Sequence, residues 1–194
     1  NLHALRRLQR RLGAEATTAR LCALFDDLGT ETHFVEFLEK REEGLYQSLF
    51  LNKRLIQPLD AAFAVNAVDV SGPTLETISG HRPTVLSALG LGQTELELLT
   101  GLARASDGLP YINDDLTLGN LSFLWRHAWL AKRLRLKIAE WKTLLALGQE
   151  DVLAFADAQD AWRFVERADQ VRTSGFSIDE LAWILAADRA AKAA

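Results

Sequence analysis

The stretch TLGNLSFLWRHAWLAKRLRLKIAEWKTLLALG, residues 117–148, decides how this chain is read. Thr117 stands where an N-cap hydroxyl is wanted, and Leu121, Leu124, Trp125, Ala128 and Ala131 follow at helical spacing. Leu134-Arg135-Leu136-Lys137 breaks the pattern. A second run, Ile138, Trp141, Leu144 and Leu145, then ends at Gly148, a natural residue just past a helix. Each helix carries one apolar stripe, and so short a connection folds the pair into an αα-hairpin. Leu121, Leu124, Trp125, Leu144 and Leu145 are its expected core.

Working outward, the same grammar recurs. Leu2, Leu5, Leu8 and Leu12 form a stripe closed by Gly13, with Arg6, Arg7, Arg10 and Arg11 on the outer, solvated face. A second helix is expected over Ala16–Leu28, and a third, capped by Thr30, carries Phe34, Phe37 and Leu38. Leu45, Tyr46, Leu49 and Phe50 mark a short fourth. Residues 52–79 hold Pro58, Pro73 and Gly72 among many apolar residues, too many for disorder. They read as an ordered connection with a helical turn near Asp60–Ala64 and one strand-like signal, Val68-Asp69-Val70. Helices resume at Ser79, with Pro83 in the first turn where its missing N–H costs nothing. Further helices cover Gln93–Ala103 and Asp160–Arg172, and a last one starts at the capping box Ser177-Ile178-Asp179-Glu180. The fold class is therefore all-α: an array of antiparallel helical hairpins with one long ordered irregular connection. One helical module over 1–194 is expected, divided into N-terminal helices (1–51), connection (52–79) and hairpins (80–194).

One turn repeats. Glu95, Glu140 and Glu180 recur at roughly forty-residue intervals. Each has a bulky apolar residue four before it (Leu91, Leu136, Phe176) and apolar residues one and four after it. Gly90 and Gly175 precede two of these turns, whereas Arg135 precedes the third. Convergent capping grammar explains the pattern as readily as true repetition.

Composition narrows the function classes. With 22 basic and 26 acidic residues the net charge is −4, which gives no footprint for nucleic acid or an anionic membrane. The apolar runs are too short to span a bilayer. The one cysteine, Cys22, excludes an internal disulfide framework and reads as a small core residue. The four histidines, His3, His33, His81 and His127, make no metal-ligand spacing, and no P-loop, G-x-S-x-G or G-x-G-x-x-G occurs. No catalytic, cofactor or metal residue is expected, nor an enzyme. Trp129 and Trp183 lie beside the apolar stripes and are the candidates for a contact surface. The chain begins at Asn1 and contains no methionine, so a piece of a longer protein is expected.

Leu45-Tyr46-Gln47-Ser48-Leu49-Phe50-Leu51-Asn52, Ile78-Ser79-Gly80-His81-Arg82-Pro83, Leu118-Gly119-Asn120-Leu121-Ser122-Phe123-Leu124-Trp125-Arg126 and Ser174-Gly175-Phe176-Ser177-Ile178-Asp179-Glu180-Leu181 occur in this order. Together they resemble the A subunit of bacterial insecticidal Tc toxin complexes, in the region related to plasmid virulence A proteins. The resemblance covers roughly Leu45 to Ala187; Lys137 and Trp125 depart from that family's usual Ser and Tyr. It implies a structural, non-enzymatic piece of an α-helical shell around the translocation channel of a homopentamer. That shell encloses the channel and moves aside when the prepore opens. The implied partners are other domains and protomers of the toxin subunit, with no cofactor, no nucleic acid and no membrane contact by this segment. The implied location is secreted or cell-surface. The alternative is a free-standing helical adaptor that binds a partner helix or peptide.

A shell that opens in a new environment needs a charge that changes, and histidine titrates nearest neutrality. His81 is the candidate for pH sensitivity. It sits at a helix start, where the dipole disfavours positive charge, with Arg82 adjacent. Its protonation is expected to destabilise the closed form.

Overall fold

The computed structural model describes residues 2–35, 40–68, 75–104, 107–148, 155 and 157–193. Among these the order is α1 (Leu2–Leu12), α2 (Thr18–Cys22), β1 (His33–Val35), β2 (Lys40–Glu42), α3 (Leu45–Phe50), α4 (Val65–Val68), α5 (Arg82–Leu89), α6 (Gln93–Thr100), α7 (Leu118–Leu134), α8 (Ile138–Gly148), α9 (Ala158–Thr173) and α10 (Ile178–Ala193). A 3-10 turn, Ala61–Phe63, lies in the connection before α4. The class is all-α as expected, with one antiparallel pair of three-residue strands set among the helices.

Helix α7 is the axis. Eleven of its seventeen residues are buried, on every side rather than along one stripe, and three of them are polar: Ser122, Arg126 and His127. A helix buried all round must be covered on all faces. Helices α5, α6 and α8 pack against it, α6 and α10 both pack on α8, and α1 packs on α9. The expected core residues are all inside, with Leu121 and Leu124 at 0%, Trp125 at 3% and Leu144 and Leu145 at 6% exposure. Aromatic rings link the layers, from Phe123 to His127 (centroids 4.3 Å apart) to Trp141 (5.8 Å) to Phe164 on α9 (5.1 Å). Trp141 Nε1 also donates to His127 Nδ1 at 3.0 Å, which ties α8 to α7 by a bond with both partners buried. That bond requires His127 to carry its proton on Nε2.

The N-terminal segment departs from the reading. The second helix, expected over Ala16–Leu28, is capped by Thr17 and regular only over Thr18–Cys22, after which the chain turns. The polar residues of α7 explain why. Arg126 donates through Nε to the Ala23 carbonyl (3.1 Å) and through Nη2 to the Asp26 carbonyl (2.9 Å), while Ser122 Oγ accepts from the Leu28 amide (2.9 Å). These backbone groups find partners outside any helix, so the helix gains nothing by continuing. Cys22 is exposed, not a core residue; Leu21, Ala23, Leu24 and Leu28 take the buried positions around it. The third helix is absent where it can be seen. His33 pairs with Glu42, Phe34 with Arg41 and Val35 with Lys40, as suits the β-preferring Thr32-His33-Phe34-Val35 run. Phe37 and Leu38 lie outside the described residues. So do Asp69 and Val70 of the strand-like signal, while Val68 ends helix α4.

The repeated turn shares two features at all three places. Gly90 (φ 62°), Arg135 (φ 59°) and Gly175 (φ 83°) are all left-handed. Each glutamate reaches back to the amide three residues before it: Glu95 to Gly92 (2.7 Å), Glu140 to Lys137 (2.8 Å) and Glu180 to Ser177 (2.7 Å). The first two also make the long backbone bond of a Schellman end, Leu91 N–H to Leu86 O (3.1 Å) and Leu136 N–H to Ala131 O (2.9 Å). In the third, the Phe176 amide bonds to Ser174 Oγ at 3.2 Å, and Phe176 is 53% exposed. Ser177 completes its box by accepting from the Glu180 amide at 3.2 Å.

Replacing Arg126 by Met keeps the bulk and removes the donors. The variant is expected to lose about 1–3 kcal/mol for each carbonyl left bare in the interior. Urea unfolding measures this, and an unchanged midpoint at equal slope would show that water replaces the guanidinium.

Candidate functional site

Among the described residues of the connection, several gather around a histidine. The helical turn expected near Asp60–Ala64 is the 3-10 turn Ala61–Phe63, and Asp60 caps it, its Oδ1 accepting from the Ala62 amide at 3.1 Å. Its other oxygen meets His81 Nδ1 at 2.6 Å and accepts from Thr84 Oγ1 at 3.2 Å. Glu76 Oε2 lies 2.8 Å from His81 Nε2. Phe63 stands edge-on to the imidazole with centroids 5.9 Å apart, and the Phe63 carbonyl accepts from the Tyr46 hydroxyl at 2.9 Å. Burial, with Asp60 adding to it, raises the Tyr46 phenol far above its ordinary value. The segment holding Glu76 is itself fastened to the loop before α7. The Ile78 amide donates to Asp114 O (2.8 Å), the Leu116 amide to Glu76 O (3.0 Å) and the Ser79 amide to Asp114 Oδ1 (3.0 Å).

His81 is the N-cap of α5 rather than a residue of its first turn. A neutral imidazole has one N–H and can satisfy one carboxylate; only the imidazolium donates to two. The bond to Glu76 therefore raises the His81 pKa, burial works against that rise, and Asp60 reinforces it. Burial alone would push the Asp60 carboxyl up, but the His81 bond, the Ala62 amide and Thr84 outweigh it and hold the carboxyl below its ordinary range. The expected sign is thus corrected: protonation of His81 strengthens this corner. Because both ring nitrogens are engaged, neither is left to act as a general base.

The other candidate residues are not brought together. Trp129 is half-buried and stacks on Trp125, with centroids 5.4 Å apart and planes 15° apart. It lines a cleft with Glu15, Arg20, Leu49 and Lys132. Trp183 stands on α10 at 75% exposure, beside Ile184 (41%) and Leu185 (39%). The arginine face of α1 is only partly solvated: Arg11 Nε bonds to Asp169 Oδ2 at 2.6 Å, and the Arg7 guanidinium lies 5.6 Å over the Trp162 ring. Among the described residues no three His, Cys, Asp or Glu side chains gather as a metal site would need, and no helix is long and apolar enough to cross a membrane.

No family model matches this chain. No curated protein and no solved structure matches it either.

The carboxylate partners of His81 escaped the sequence reading because they lie 21 and 5 residues away with no shared motif. The sign for stability follows from the raised pKa. The contribution of His81 is complete below its unfolded value near 6.5 and is lost as pH rises through its higher folded value. The parent is expected to be more stable at pH 6 than at pH 9 by roughly 1 kcal/mol at most, since Glu76 is open to solvent. His81→Gln should lack that component. Urea midpoints for both proteins at the two pH values measure it, and equal changes in both would remove His81 from the account.

Proposed function

We propose that this chain is a structural, non-enzymatic helical module that packs against neighbouring helical elements, as a shell segment of a Tc-type toxin A subunit would. The observation that carries the reading is the open face of α10. Helix α8 packs on α6 and α10 packs on α8, a stacking order that ends with apolar residues facing water. At the first two copies of the turn, the residues one and four after the glutamate are buried, namely Leu96 and Leu99, then Trp141 and Leu144. At the third copy, Leu181 is half-buried and Ile184 is 41% exposed. Phe176, Trp183 and Ile184 thus leave apolar side chains facing water where the stack would continue. The resemblance of four ordered motifs to the toxin subunit supports another part of that shell as the neighbour.

A second reading is favoured by one feature of the same region. A groove of about 300 Å³ runs between α8, α9 and α10, lined by Leu144, Leu147, Phe164, Val171, Leu181 and Leu185. Such a groove suits the apolar face of one partner helix, the adaptor reading.

Trp183→Lys separates the readings. In the 194-residue chain alone it should change stability by less than about 0.5 kcal/mol, because nothing covers Trp183 there. In the intact gene product a shell module should lose assembly, read by electron microscopy as fewer complete pentamers. A gene product that ends shortly after Ala194, or one that assembles normally with the substitution, would overturn the shell reading.

A further inference from the structure

Three helices end at one place. The last turns of α1, α7 and α9 converge on a pocket of about 410 Å³ whose charged lining is Arg11, Lys132, Arg133, Arg135 and Arg172. In a chain of net charge −4 this is a local reversal of sign. Helix C-termini attract cations, so part of the cluster is ordinary. Three ends amount to about −1.5 elementary charges, however, and the carboxylate in contact with the lining is Asp169. Five cations exceed that. Asp169 holds Arg11 and Arg172. Arg133 spends two N–H groups on the Leu12 carbonyl, at 2.9 and 2.6 Å. Glu15 is bound by Arg20 and also feels the charges of Arg133 and Lys132. Lys132 and Arg135 have no carboxylate contact among the described residues.

Arg135 supplies the second observation. It occupies the left-handed position of the repeated turn, with φ 59°, where the other two copies have glycine. A side chain at that φ is strained relative to glycine, and the same chain twice uses the unstrained solution. The copy that keeps a side chain is the one beside the cationic pocket, and the side chain it keeps is a guanidinium. Strain retained at a concave site points to a ligand rather than to folding.

We propose that this pocket binds a phosphate-class dianion, with Arg135 and Lys132 as its principal donors and Arg172 and Arg133 completing the field. A guanidinium offers the paired N–H groups that match two oxygens of a tetrahedral anion, and lysine adds a mobile point charge. The anion enters as a free ion or as a phosphomonoester; the pocket chemistry is the same for both.

Arg135→Gly isolates the claim, because glycine is the residue the backbone prefers there. The 194-residue chain is titrated with inorganic phosphate, and separately with O-phosphoserine, against chloride at matched ionic strength, following backbone amide shifts and the thermal midpoint. The parent should show saturable shifts around residues 132–135 and a raised midpoint. Arg135→Gly should bind about tenfold more weakly or worse, yet melt no lower than the parent in chloride. Lys132→Gln, on an exposed helical position, should weaken binding in the same direction without changing the fold. Tighter binding of O-phosphoserine than of phosphate assigns the monoester, and the reverse assigns the free ion; both support the site. A parent response no larger than in chloride, or equal phosphate affinity in parent and Arg135→Gly, overturns it.

Discussion

The structure depends on a guanidinium placed where a guanidinium is costly. Arg126 is 4% exposed, and burial lowers its pKa, opposed by Asp27 and Asp26. Taking such an ion out of water costs several kcal/mol. The return comes from geometry. Its Nε and Nη2 reach the carbonyls of Ala23 and Asp26, roughly a hundred residues away in the chain, at a point where the segment after α2 has no helix of its own. Ser122 one turn earlier holds the Leu28 amide, and Arg133 two turns later holds the Leu12 carbonyl. Three polar residues of one helix thus hold backbone groups between Leu12 and Leu28 that have no helical partner of their own. Their spacing along α7 sets the path of that segment.

Apolar packing does the rest by a different logic. The ring sequence Phe123, His127, Trp141, Phe164 crosses from α7 through α8 to α9, and Phe164 continues to Phe155 at 5.7 Å. Because His127 accepts the indole N–H, the polar edge of Trp141 is satisfied inside the core, where an orphaned donor would cost about 1–3 kcal/mol. Helix α9, reached through these rings, then carries α1 on its other contacts, and the Arg11–Asp169 bond fixes their ends together. The first and ninth helices pack directly on one another, and Arg7 over the Trp162 ring adds to the contact.

What was legible in the sequence was local. The boundaries of α7 and α8, the Thr117 cap, the helical turn near Asp60–Ala64, the Ser177–Glu180 box and the repeated turn all follow from residues within one or two turns of each other. What was not legible was long-range. Nothing near Cys22 announces that α2 stops there, since the groups that stop it belong to Ser122 and Arg126. The Thr30–Leu38 run was read for its apolar spacing, yet Phe34 and Val35 favour a strand as much as a helix. A helix-period reading of six or seven residues cannot choose between them. The apolar stripe of α7 was correctly placed, but a stripe predicts one covered face, and α7 is covered on all of them. The same limit applies to the pocket at its end: the arginines of α1 were legible as a row, but not their meeting with Arg135 and Arg172.

His81 shows how the two scales compete. A helix start carries about half a positive charge, spread over several amides, and acts on a nearby side chain with about 0.3–1 kcal/mol. The helix in question has eight residues. Against it stand two whole negative charges, at 2.6 and 2.8 Å from the two ring nitrogens. Even at an effective dielectric of 20, a unit pair at 4 Å is worth about 4 kcal/mol before desolvation and screening reduce it. The dipole fixes the sign only where no full charge is in contact. Here the connection, by folding Asp60 and Glu76 onto the cap, brings two, and the corner between the N-terminal half and the hairpins is held most firmly when its histidine is charged.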